Sequence, residues 1–266
     1  MQVIAFVGSA RKKATYRATE QFLANLQSLG PVESEIVVLR DCRLELCRGC
    51  KACFEKGESF CPLQDDVSLL IEKMIRSDGV VFATPNYSFQ VSAWMKIFLD
   101  RLGFVFHRPR FFGKTWTSIV VQGIYGGGSI VKYLDFVGGG LGFNTVKGSC
   151  LTSLEPVSAS EQRKMDQTLE LHSRRFYAQL AKSALPAPTL FKLMAFRMSR
   201  TIMKQSLDER YRDYTYFTER GWFESDYYYP VRLGPFKKLV GIGLDWLGAM
   251  MAKDRNKTIQ KDKIRS

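Results

Sequence analysis

Between residues 3 and 180 the chain alternates short, nearly continuous apolar runs with longer amphipathic stretches, and few folds accommodate that rhythm. The apolar runs, rich in β-branched residues, occupy 3–7, 35–39, 79–83, 118–122 and 145–150. Strands lose their polar alternates in this way when helices cover both faces of a sheet. Between the runs, 15–29 carries Phe22, Leu23, Leu26 and Leu29, and 67–75 carries Leu70, Ile71 and Met74. The stretch 91–106 carries Trp94, Ile97, Phe98 and Leu102, and 129–141 and 161–180 complete the set. Five strands alternating with five helices predict an α/β fold with a doubly wound, five-stranded parallel sheet. Ligands of such sheets bind beyond the carboxyl ends of the strands. The loops after Val7, Ala83 and Gln122 are therefore the ones to inspect.

Near residue 183 the rhythm stops. Pro186 and Pro188 break the preceding helix. This divides the chain into a domain at 1–183, holding a cysteine-rich loop at 47–61, and a mainly helical, aromatic-rich extension at 184–266. In the extension Leu190, Met194, Met198 and Ile202 recur every four residues, a spacing that predicts a helix burying an apolar stripe and keeping its charges in water. A second apolar segment, 239–251, is interrupted by Asp245 and is too short to span a bilayer. Net charge is +13, and from Lys182 onward 17 Lys and Arg stand against 9 Asp and Glu, so +8 of it lies there. Charge scattered in this way reads first as a solvated surface, and nucleic acid is not expected. Two fates fit the extension: packing across a homodimer, which its tyrosines and tryptophans favour and where it would also serve as a lid over the neighbour's site, or peripheral contact with an anionic membrane. No charged segment precedes the first apolar run, so no secretory signal is expected and the protein reads as cytoplasmic.

Each of the three loops has a chemistry. After the first strand come Gly8, Ser9, Arg11 and Thr15, then a helix. A sharp turn, two hydroxyls, a guanidinium fork and a helix N-terminus together make a phosphate cradle. The loop lacks the later glycines of a dinucleotide fingerprint. The sequence Gly113-Lys114-Thr115 is not a P-loop either, because Arg108 stands where the first glycine belongs. After the third strand, Pro85 fixes an extended turn, Asn86 and Ser88 offer bonds to a heterocycle's edge, and Tyr87 offers a face for stacking. After the fourth, Gly123, Gly126, Gly127 and Gly128 let backbone approach a planar ligand closely.

Four cysteines, Cys47, Cys50, Cys53 and Cys61, lie within fifteen residues. Two successive two-residue gaps let a tight turn aim three thiolates at one centre, with the longer gap returning a fourth, as a cubane iron–sulfur cluster requires. A zinc site and a thiol or disulfide loop remain as alternatives. Cys42 and Cys150 are isolated and read as packing residues. His107 lies at a basic helix end and His172 within a helix, and no side chain is expected to act as nucleophile or base.

Taken together, these motifs resemble the flavodoxin-like NADPH-dependent FMN reductases, and among them the iron–sulfur flavoproteins. Gly8–Arg11, the cysteine run with Asp65 and Asp66, Pro85 and Tyr87 with downstream Lys96, Asp100 and Arg101, and the glycine loop carry the likeness. It covers roughly residues 1–180. It implies FMN with its phosphate on Ser9, Arg11 and Thr15 and its ring between Pro85, Asn86, Tyr87, Ser88 and the Gly123–Gly128 loop. It also implies a [4Fe-4S] cluster on Cys47, Cys50, Cys53 and Cys61. The activity implied is that of an FMN-dependent oxidoreductase taking electrons from NAD(P)H or a ferredoxin-type donor and passing them to a small acceptor such as a quinone. The alternatives are a non-catalytic electron carrier and an interaction protein acting through the extension.

Overall fold

Strand β1 (Gln2–Val7) lies inside a parallel sheet, bonded on one side to β2 (Glu33–Val38) and on the other to β3 (Gly79–Pro85). The structure is a computed structural model describing residues 1–182 and 185–265, with side chains through Thr258. Beyond β3 the sheet continues with β4 (Thr115–Gln122), and β4 is flanked by β5 (Asn144–Thr145) and β6 (Ser149–Thr152). The last two are successive pieces of one strand position. The run expected at 145–150 is interrupted at Val146–Gly148, where Val146 N donates to Trp116 O at 2.8 Å. The order β2-β1-β3-β4-β5 is the doubly wound, five-position parallel sheet expected from the alternation.

The helices are α1 (Ala14–Leu29), α2 (Ala52–Glu55), α3 (Val67–Arg76), α4 (Ala93–Arg101), α5 (Gly103–His107), α6 (Gly127–Gly140), α7 (Ala159–Leu180), α8 (Leu190–Ser206), α9 (Arg212–Glu219) and α10 (Pro235–Arg265). The single helix expected over 91–106 is two, because the chain leaves helical geometry at Leu102 ahead of Gly103. Alternate residues of each strand face opposite layers. Val3, Ala5, Val7, Val81, Ala83, Ile119 and Val121 meet Phe22, Leu26, Leu169 and Phe176 of α1 and α7. On the other face Phe6, Phe82, Phe98 and Trp116 form an aromatic layer with ring centroids 4.3–5.5 Å apart.

The chain divides into two compact units, 1–49 with 63–184, and 50–62 with 185–266. The boundary read at 183/184 falls on residues outside those described. Most of the cysteine-rich segment, assigned from sequence to the first domain, belongs with the second unit. In that unit the apolar stripe expected to be buried on α8 is instead half-exposed: Leu190 and Met194 stand in solvent, while Leu193, Phe196, Arg197 and Arg200 are buried. Arg197 and Arg200 turn inward because Asp245 of α10 and Asp226 receive them, at 2.5–2.7 Å. Among the described residues no helix is long and apolar enough to cross a membrane.

Candidate functional site

The carboxyl ends of β1 and β3 lie side by side where the strand order reverses, since β2 was laid on one flank of β1 and β3 on the other. That reversal opens a crevice between the loops that follow them. In the first loop Gly8 N donates to Ala83 O at 2.8 Å, and the Ser92 hydroxyl donates to Gly8 O at 2.6 Å. A side chain at Gly8 would strike Ser92 and Met95, so only glycine lets the loop lie this close to α4. Ser9 is buried and its hydroxyl donates to Arg11 O at 2.5 Å, tying the turn. Thr15 is also buried, in the first turn of α1. No side chain caps α1 and no acidic residue occupies its first turn. Arg11, Lys12 and Lys13 are exposed, and Arg40 donates to Ala10 O at 2.9 Å. Uncapped helical N–H groups amid four cations form an anion seat.

The second loop is a tight reversal. Tyr87 and Gln90 exchange backbone hydrogen bonds at 3.0 Å each, and Ser88 and Phe89 between them both have positive φ, 50° and 62°. Left-handed backbone at non-glycine residues costs about 1–3 kcal/mol each and gathers at functional sites. Behind the tip, Ser92 N donates to Thr84 Oγ1 and the Ser92 hydroxyl accepts from Met95 N, capping α4. In the third loop Gly126 has φ +96°, and the Gln122 carboxamide oxygen accepts from Gly127 N at 2.7 Å. Added side chains at Gly126 and Gly127 would collide with Phe89 and with Cys150, whereas Gly128 faces open space.

The second and third loops meet. Asn86 N donates to Val121 O at 2.7 Å and its side-chain amide donates to Tyr125 O at 2.9 Å. The Asn86 Oδ1 is buried with no protein partner, an acceptor left for a ligand's donor. The Phe89 ring rests on Gly126 and lies 5.3 Å from the Tyr125 ring. Tyr87 is 52% exposed, and the aromatic pair joining the loops is Phe89–Tyr125. Ser9, Arg11 and Thr15 thus gather at one end of the sheet edge, and Pro85, Asn86, Tyr87, Ser88 and the four glycines at the other. A cradle of cations, a buried orphan acceptor and unobstructed backbone suit a phosphorylated, flat, hydrogen-bonding heterocycle such as FMN.

Arg40, Ser92, Phe89 and Gln122 escaped the sequence reading. Ser92 had a signal, a serine three residues before the helix interior. Arg40 had none, because its role arises from the placement of β2 beside β1. A separate groove of about 310 Å³ lies on the α1/α7 face, lined by Arg17, Leu151, Met165 and Asp166, with Lys13 and Glu155 4.0 Å apart.

The cysteine run has a well-anchored base. Asp65 accepts from Glu45 N at 2.9 Å and pairs with Arg101, both side chains almost fully buried. Asp66 accepts from Arg43 N at 2.7 Å. Gly49 and Lys51 have φ of 64° and 60°. No disulfide joins the cysteines, and Cys47 and Cys50 are exposed. Burial pushes the Cys42 and Cys150 thiols up, Cys42 further so beside Asp66, as suits packing residues. Among the described residues no three His, Cys, Asp or Glu side chains gather so as to hold a metal ion. The donor chemistry is that of an iron–sulfur cluster.

His172 is a core residue. Thr117 Oγ1 donates to Val146 O at 3.0 Å and lies 2.6 Å from His172 Nε2, so the imidazole donates from Nε2. Its Nδ1 is buried without a partner. Burial holds its pKa down to about 3, with Arg175 contributing.

A family model described as NADPH-dependent FMN reductase matches residues 1–154. An iron–sulfur flavoprotein of Archaeoglobus fulgidus is 32% identical over 130 residues, covering 48% of this chain and 63% of its own. The chain spans roughly half to two thirds of the length of the curated relatives it matches. The solved structure of RosB with 8-demethyl-8-formylriboflavin-5′-phosphate bound superposes with a TM-score of 0.53 at 14% identity, covering 88% of this chain and 92% of that one. An NAD(P)H:quinone oxidoreductase from Methanothermobacter marburgensis gives a TM-score of 0.51 at 20% identity, over 65% of this chain and 98% of its own. At these identities the solved structures speak for the fold.

Proposed function

The chain belongs to the NADPH-dependent FMN reductase family, and from that premise we propose that it is an FMN-dependent oxidoreductase moving electrons from NAD(P)H or a reduced ferredoxin to a small acceptor such as a quinone. The observation that carries this reading is the meeting of an anion seat, an orphaned acceptor and a glycine loop on one sheet edge. Bound there, FMN would supply the redox chemistry, leaving the protein to bind, orient and exclude water.

Each residue then has a task. Arg11, Lys12 and Lys13, with the N-terminus of α1, hold the phosphate, and Arg40 keeps the turn in place. Asn86 Oδ1 would be the acceptor for a donor on the ring's edge, while Asn86 Nδ2 stays committed to Tyr125 O. Gly128 leaves room for backbone to lie against the ring. Phe89 and Tyr125 join the second and third loops. No side chain donates or removes a proton in this scheme.

The four clustered cysteines are, in the same proposal, the donor set of a [4Fe-4S] cluster, as the names of the relatives suggest. Iron binding would then be coupled to closure of the 47–61 segment. The test of the proposal is twofold: the visible spectrum of anaerobically purified protein, and steady-state NAD(P)H oxidation with a small quinone. Flavin bands with quinone-dependent turnover are expected. Flavin bands without turnover would demote the protein to an electron carrier, and a colourless protein that takes up no FMN would refute the reading.

A further inference from the structure

The helix pair of the second unit is built inside out. Along α10, Gly241, Asp245, Gly248 and Ala252 recur at intervals of four, three and four residues, which sets them on one side of the helix. That side meets α8. A Cβ at Gly248 would lie 3.2 Å from Thr201 Cβ, and one at Gly241 3.1 Å from the Arg197 guanidinium. Asp245 accepts from Arg197 at 2.7 Å, from Arg200 at 2.5 Å and from Thr201 at 2.9 Å. Small residues and an ion pair therefore line the side of α10 that meets α8.

The large apolar side chains of α10 point the other way. Phe236, Leu239, Ile242, Trp246, Leu247, Met250 and Met251 are all exposed, Leu239 by 70% and Trp246 by 66%. Between Lys238 and Lys253 the only charge is Asp245, and it is turned inward. An apolar arc of this extent on one helix marks a surface that something covers.

The charge around the arc indicates what covers it. Lys237 and Lys238 precede it, and from residue 253 to 265 the sequence holds six Lys and Arg against two Asp. Trp246 and Met250 share a shallow groove of about 600 Å³ with Lys253 and Lys257. Apolar and cationic groups on one face, with a tryptophan among them, match the boundary between acyl chains and anionic headgroups. A second copy would bring its own cations against these. The arc is also too short to cross a bilayer, in keeping with the absence of a spanning helix among the described residues.

We propose that the outward face of α10, residues 236–251, docks on the surface of an anionic phospholipid bilayer, with Phe236, Leu239, Ile242, Trp246 and Met250 immersed and Lys253 and Lys257 at the headgroups. The proposal does not depend on the flavin reading. The experiment is co-sedimentation of the full chain with phosphatidylcholine vesicles, with and without phosphatidylglycerol, at low and high salt. The protein is expected to pellet with the anionic vesicles, less so in high salt, and to remain in solution with phosphatidylcholine alone. The double variant Leu239→Glu/Trp246→Glu should lower partitioning at least about tenfold. Its circular dichroism should match wild type, because both side chains already stand in water. The variant Lys253→Glu/Lys257→Glu should lose the preference for anionic vesicles. Wild-type protein left in the supernatant with anionic vesicles, or a Leu239/Trp246 variant that still pellets, overturns the proposal. So does light scattering that shows a dimer in solution which the same variant splits, since the face would then belong to a second copy.

Discussion

At the residue scale, two side chains separate the binding edge from the core behind it. Arg11 is exposed beside the uncapped start of α1, so its charge is available to an anion. Arg11→Ala should weaken FMN binding roughly ten- to a hundredfold, the value of one charge-assisted contact of about 1.5–3 kcal/mol. Fluorescence titration of the apoprotein measures this, and an unchanged affinity would remove Arg11 from the phosphate. His172 is the opposite case, a titratable group the site does not use. Its folded pKa is about 3, below the ordinary value near 6.5, because a proton on Nδ1 would be buried with no acceptor. In the unfolded chain the imidazole protonates first. The stability this residue contributes is therefore whole above about pH 6.5 and is lost as the pH falls toward 3, at up to about 1.4 kcal/mol per pH unit. His172→Phe should flatten that part of the urea-midpoint profile. A profile equally steep in the variant would assign the pH dependence to other groups.

At the element scale, what the sequence disclosed and what it withheld divide along a physical line. Periodicity reports which face of a segment is apolar, and where that face meets a sheet covered on both sides the reading held: α1, α3 and β1 to β4 lie where the pattern put them. The split of the last strand at Val146–Gly148 was not legible, because it depends on β4 offering partners to both halves. Nor was the reversal at Ser88 and Phe89, since neither residue announces a left-handed backbone. That strain is itself testable. Ser88→Gly should hold or raise stability, whereas the β-branched Ser88→Val should lower it by about 1–2 kcal/mol, read from chemical denaturation. Equal midpoints for the two would mean the turn is not left-handed in solution. The cysteine run poses a sharper question, because sequence spacing points to a cluster while the described side chains do not gather. Serine at Cys47, Cys50, Cys53 or Cys61 should each abolish iron uptake in anaerobic reconstitution, and serine at Cys42 or Cys150 should leave it intact. Wild-type protein holding less than about one iron per chain under those conditions would leave the run as thiols.

At the scale of the whole molecule, the two units follow different rules of construction. The sheet unit buries its large apolar residues and sets its cations at the loops, so hydrophobic patterning alone nearly specified it. In the second unit the same reading misplaced the buried face of α8, because a half-exposed stripe of Leu190, Met194, Met198 and Ile202 is indistinguishable in sequence from a buried one. Only the three-dimensional meeting of Arg197 and Arg200 with Asp245 shows which side is inside. An ion pair in that position contributes little net stability but is costly to break, because the partner left behind stays buried and charged. Asp245 is about a quarter exposed on its side chain, and Arg197 retains Asp226 at 2.5 Å, so water and the second carboxylate soften the loss. Asp245→Leu should accordingly cost about 2–4 kcal/mol, and a variant that also carries Arg197→Met and Arg200→Met should recover most of it. Hydrogen exchange locates the damage: Asp245→Leu should strip protection from amides of α8 and α10 while those of β1, β3 and β4 keep theirs. Protection lost equally across the sheet would mean that the molecule unfolds as one cooperative block. Protection kept everywhere would mean that the ion pair is not what holds the helix pair together.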